Sequence, residues 1–190
     1  MPRSTDRATF LTDLLARIQE HSSRVTGIFA ELDDAELAWR PAPKEWSVLE
    51  CFEHLTLTFD YYRPKLATAL AAPVRTPPNG GPYSPSRWGR FYMYFALNPR
   101  YSFPTAGVIT PTSAADRNVF AAYLARQAEL VEIIEGLEGL DLTRTRIPIE
   151  KGVQFNLGDV LRILVYHDEV HFYQAQRVLD AMHREQSRIA

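Results

Sequence analysis

Apolar residues recur at steps of three and four along most of this chain, a spacing that predicts amphipathic helices. The first run comprises Phe10, Leu14, Leu15, Ile18, Val25, Ile28, Phe29 and Leu32, and it predicts a helix over Thr5 to Glu31. Pro41 and Pro43 then block continuation, because proline lacks the backbone N–H and clashes with the preceding turn. Ser47 with Glu50 three residues later has the form of a capping box, which opens a second helix with Val48, Phe52, Leu55, Phe59, Tyr62 and Leu66 inward.

Between Pro73 and Pro111 proline and glycine break the pattern, yet the stretch is too aromatic for a disordered linker. Trp88, Phe91, Tyr92 and Phe95 share a helical spacing there, so a short helix is expected to pack this crossover onto the body of the protein. A third helix is predicted from near Ser113 to about Leu137, with Val119, Phe120, Tyr123, Leu124, Leu130, Val131 and Ile134 inward and Gly136 and Gly139 marking its end. A short extended stretch around Ile147 to Phe155 follows. Asn156 is a good N-cap residue with Asp159 three positions on, and the fourth helix runs from Leu157 to about Glu185. Four such segments, with no alternating run of strand length, predict an all-α fold: a four-helix bundle with a long crossover between helices two and three. The length of 190 residues fits one domain spanning residues 1–190.

Composition narrows the classes of function. A formal net charge of -2, with no basic run, gives no electrostatic case for nucleic acid. No stretch approaches the roughly 20 apolar residues of a membrane span, and the opening MPRSTDRATF has no apolar region behind it, so a cytoplasmic protein is expected. The single cysteine, Cys51, rules out an internal disulfide and reads as a small buried hydrophobe.

The chemistry is concentrated in histidine. On the fourth helix the inward stripe reads Leu157, Val160, Leu161, Leu164, His167, His171, Gln174, Val178 and Met182, so two imidazoles at i and i+4 interrupt an apolar face. Buried imidazoles need a hydrogen-bond partner or a metal. His54, on the second helix, offers a third nitrogen, and three nitrogens in a bundle interior can hold an ion with coordination positions left open. Such a site prefers transition ions, zinc or nickel first, over calcium or magnesium. Gln174, one turn beyond His171, is the candidate catalytic side chain, able to meet a metal-bound water or a substrate; a polar plug at the bundle edge is the competing reading. Asp168 stands where HExxH metalloproteases carry glutamate, but Asp168 and Glu169 fit a solvated face better, with orientation of a ligand as the other option. His21 lies on the inner stripe of the first helix and reads as structural, Tyr61 as core, and His183 as solvent-facing.

Two motifs carry a family resemblance. The run WRPAPKEWSVLECFEHL, from Trp39 to Leu55, resembles the W-x-P-x-P-x-x-W-S-x-x-E-x-x-x-H-L entry of the DinB/YfiT-like superfamily, and YHDEVHFYQAQRV, from Tyr166 to Val178, looks like its closing H-x-x-x-H-x-x-Q helix. The resemblance implies a four-helix bundle, often dimeric, that holds a divalent metal on His54, His167 and His171. It further implies a thiol S-transferase using bacillithiol, mycothiol or glutathione against a small electrophile. A hydrolase using metal-bound water and a non-catalytic, metal-stiffened stress-response or binding module are the alternatives. The aromatic residues between Trp88 and Phe103 add to the expectation of a homodimer.

Overall fold

The computed structural model describes residues 4–76, 80–95, 107–112, 115–150 and 152–189. Four long helices dominate: α1 (Arg7–Gly27), α3 (Val48–Ala71), α5 (Asn118–Glu135) and α6 (Leu157–Ile189), with short helices α2 (Asp34–Ala38) and α4 (Arg87–Phe95) between them. Helices α1 and α3 each pack on both α5 and α6, which closes the four into a ring. The all-α expectation therefore holds, with a small hairpin added. Strands β1 (Arg146–Glu150) and β2 (Val153–Asn156) pair antiparallel, Ile147 opposite Phe155, and both of those side chains are buried. Gly152 takes φ +81° at the turn, a conformation that costs other residues a steric clash.

Local sequence explains where the elements start. Asp6 caps α1 by accepting from Thr9 N at 3.0 Å. The Ser47–Glu50 capping box is present in both directions, Glu50 N donating to Ser47 Oγ at 3.3 Å and Ser47 N to Glu50 Oε2 at 2.9 Å. Asn156 and Asp159 form the equivalent reciprocal pair at the start of α6.

Some boundaries and faces differ from expectation. The first helix ends at Gly27 and is followed by a 3-10 turn at Phe29–Glu31 and by α2, which Asp33 and Glu36 close with their own capping box. Ile28, expected inward, is 43% exposed because the helix has already ended there. Helix α5 begins at Asn118; the expected start near Ser113 lies outside the described residues, as does Phe103. Helix α4 exists but packs through a different face. Gly89 and Met93 are buried and Tyr92 meets Phe155 at 5.8 Å, whereas Trp88, Phe91 and Tyr94 face solvent. The missing side chain at Gly89 is the reason: a methyl group there would overlap the Asp159 carboxylate, so glycine alone lets α4 lie this close to α6.

The core is divided into two apolar clusters. One gathers Leu14, Ile18, Phe59, Leu66, Leu130 and Val165 among others, and the second gathers Val25, Phe29, Phe52, Tyr123 and Phe172 with their neighbours. On every long helix a buried polar residue lies at the change from one cluster to the other: His21 on α1, His54 and Thr58 on α3, Gln127 on α5, and His167, Asp168 and His171 on α6. A polar layer thus crosses the interior between two apolar ones.

Candidate metal centre

Each histidine reaches this layer for a local reason. The capping box fixes the first turn of α3, and Arg40 donates to Glu50 Oε1 at 2.7 Å, tying the proline loop to the same turn. That loop delivers Trp46 onto the site, its ring 4.9 Å from His54 and 5.7 Å from His171. His54 follows one and a half turns into α3 and is 3% exposed. His167 and His171, one turn apart on α6, face it across the α3–α6 contact.

The three rings converge. Their nearest ring nitrogens all lie within 4.8 Å of one another, and the ring centroids are 4.5–5.1 Å apart. His54 Nδ1 donates to the Ile109 carbonyl at 2.7 Å and His171 Nδ1 donates to Gln174 Oε1 at 3.0 Å, so each of these rings presents Nε2 as a lone pair. His167 Nε2 lies 3.1 Å from His171 Nε2. Two nitrogens on one tetrahedral ion, each bonded at about 2.0–2.1 Å, stand about 3.3 Å apart. The donor set therefore fits a borderline divalent ion such as zinc or nickel, and three ligands leave coordination positions free. The fit has one gap: His167 Nδ1 is buried with no hydrogen-bond partner among the described residues, whereas the other two rings are held from behind.

Electrostatics keep the set neutral. Burial pushes the pKa of His167 down to about 3, with the neighbouring His54 ring adding to the shift. Burial and the His167 and His54 rings hold His171 well below its ordinary value, and burial lowers His54 against the opposing effect of its Ile109 bond. Neutral imidazole is the form that ligates metal, so no proton has to be removed at neutral pH.

Asp168 corrects the expectation of a solvated face. It is buried on the other side of α6, where its carboxylate accepts from Tyr123 OH at 2.7 Å and Gln127 Nε2 at 3.0 Å, and His21 Nδ1 stands 3.6 Å away. Consecutive helical residues diverge by about 100°, so His167 and Asp168 address different neighbours. His21 belongs to this carboxylate's surroundings and stacks on Phe172 at 5.1 Å. Glu169 does lie at the surface, paired with Arg17. His183 is exposed and Cys51 is fully buried, its thiol pushed up by that burial. Tyr61 is half-buried at the edge of the first apolar cluster.

Sequence reasoning missed Trp46 and Ile109 as parts of the site. A tryptophan directly before a helix cap was a usable signal, since an apolar residue there often packs back against the first turns of that helix. A backbone carbonyl on a crossover leaves none.

These features agree with what the chain matches. The family model of the DinB superfamily covers residues 17–175, which include His54, His167 and His171. No curated protein and no solved structure matches the sequence. No helix among the described residues is long and apolar enough to cross a membrane. With the Trp39–Leu55 motif, the His167, His171 and Gln174 positions of the second motif and the buried histidine triad inside the matched region, the chain belongs to the DinB superfamily.

Proposed function

We propose that this protein is a divalent-metal enzyme that transfers a small-molecule thiol, of the bacillithiol, mycothiol or glutathione type, onto a small electrophile. The observation that carries the reading is the neutral, all-nitrogen triad of His54, His167 and His171. When bound, a zinc or nickel ion supplies Lewis acidity that lowers the pKa of a coordinating thiol. Three imidazoles contribute no negative charge, which favours an anionic ligand such as thiolate at the open positions. Trp46 covers two of the three rings and limits access of water from its side. In the net reaction the S–H bond breaks and its proton passes to solvent. Sulfur then bonds to the electrophilic carbon as the leaving group departs with the electron pair of its own bond.

The hydrolase alternative needs a base for water. Asp168 has the sequence position for that role, but its carboxylate is engaged by Tyr123 and Gln127, and among the described residues no carboxylate joins the three histidines. The transferase reading asks for no such base. A cytoplasmic setting, where small thiols are kept reduced, suits it.

The test begins with elemental analysis of untagged protein, followed by consumption of glutathione, bacillithiol or mycothiol with chlorodinitrobenzene as electrophile. Near-stoichiometric transition metal and thiol-dependent turnover that disappears on chelation are expected. Protein without transition metal, or ester hydrolysis that needs no thiol, overturns the reading.

A further inference from the structure

Glu53 stands beside His54 in sequence but points to the rim of α3, where it is half-buried and outside the triad. Both of its carboxylate oxygens are used on one residue of the crossover. Thr112 N donates to Oε2 at 2.8 Å and Thr112 Oγ1 donates to Oε1 at 3.0 Å. Three residues earlier the same strand of chain lays the Ile109 carbonyl on His54 Nδ1 at 2.7 Å. Between them Thr110 N donates to Gly107 O at 3.3 Å, closing the 3-10 turn Gly107–Ile109 that sets the direction of that carbonyl. The crossover is thereby pinned to α3 at two consecutive helix positions, one through a surface carboxylate and the other through a ring of the triad.

We infer that Glu53 is a positioning residue for the metal centre, acting through Thr112 and the Ile109 carbonyl to fix the tautomer and rotation of His54. The inference rests on the metal-binding reading given above. A ring that donates through Nδ1 must present Nε2 as a lone pair, and the carbonyl also fixes the angle at which that lone pair points. The coupling runs in both directions. A cation drawing electron density from the imidazole strengthens its N–H as a donor, so metal binding tightens the Ile109 contact and with it the hold on Thr112. Whatever factor the clamp adds to metal affinity, metal adds to the clamp.

Zinc alone is the probe, its affinity measured by competition with a chromophoric chelator, alongside exchange of the Thr112 amide with and without zinc. In the parent, zinc slows that exchange. Groups behind a ligand typically change metal affinity about 10–100-fold, and Glu53 acts one step further out, so Glu53→Ala is expected to weaken zinc about 5–10-fold and to abolish the zinc-dependent slowing. Thr112→Val weakens zinc in the same direction, while Thr112→Ser, which keeps the hydroxyl, retains parental affinity. Far-ultraviolet circular dichroism of each variant confirms that the helices are intact, which a surface carboxylate and an exposed threonine permit. Parental zinc affinity in Glu53→Ala, or a Thr112 amide indifferent to zinc, overturns the inference and leaves the triad standing as a metal site. A parent that binds no zinc removes both.

Discussion

Acidifying the metal-free protein reports directly on the buried state of the triad. In the folded chain His167 and His171 have pKa values far below that of a free imidazole, about 3 for His167, because burial disfavours the charged ring. Unfolded, both return to about 6.5. Between the folded and unfolded values the unfolded chain binds more protons, so stability is full above about pH 6.5 and falls as pH drops below it. From about pH 7.5 to about pH 5.5 each group costs about 1.4 kcal/mol, and the pair about 3 kcal/mol. His54, also lowered by burial, adds in the same sense, whereas Asp168 works in the opposite one: burial raises its carboxyl, so acidification relieves a buried charge. The measurement is urea unfolding followed by circular dichroism at several pH values, on chelator-treated protein. His167→Ala and His171→Ala should each flatten the profile over this window. A parental midpoint that does not move between these pH values refutes the reasoning, since rings that titrate normally in the folded state produce no such slope.

Other perturbations address single contacts. Gln174→Ala leaves His171 Nδ1 without its acceptor and should weaken zinc about tenfold by calorimetric titration, while an unchanged constant would mean that the 3.0 Å bond orients nothing. Asp168→Ala strands the Tyr123 hydroxyl and the Gln127 amide and should cost about 2–5 kcal/mol in urea unfolding; a loss below about 0.5 kcal/mol contradicts the assigned network. Gly89→Ala forces α4 away from Asp159 and should cost about 1–3 kcal/mol with Tyr92 becoming more exposed, a change that fluorescence quenching would detect and a parental quenching rate would exclude.

How much of this was legible in sequence follows from the range of each signal. Capping boxes at Ser47–Glu50 and Asn156–Asp159 are local, and both ends were placed to the residue. Eight of the nine residues of the expected inward stripe of α6 are buried and Gln174 is half-buried, because 3.6-residue periodicity is also local. Asp168 was misread since periodicity assigns one buried face, whereas α6 packs on both α1 and α3 and also receives Tyr123 and Gln127 from α5. The face of α4 was misread for a related reason: aromatic residues mark apolar surface, but a glycine chose which side could approach α6. For the site, the spacing of His167 and His171 showed that they share a face, and the meeting with His54 required the tertiary pairing of α3 with α6. The carbonyl of Ile109 could not be read at all, because every residue except its geometry looks alike at that atom.

The polar layer has two halves, and the second explains how the first is aimed. Apolar contacts alone tolerate small rotations of a helix, since one leucine surface resembles the next. Asp168 removes that freedom for α6. Its carboxylate must meet Tyr123 and Gln127 on α5 in one geometry, because a rotation that breaks those bonds leaves a buried charge and two buried donors unpaired. Holding Asp168 toward α5 holds His167, the residue before it, toward α3 and His54. Side chains one position apart thus divide the work, one fixing the rotation of the helix and the other presenting a nitrogen. The separation is testable in one variant: Asp168→Asn keeps an acceptor for one partner and should retain zinc stoichiometry while lowering affinity and stability together. If stability falls with zinc affinity untouched, the apolar clusters alone set the rotation of α6.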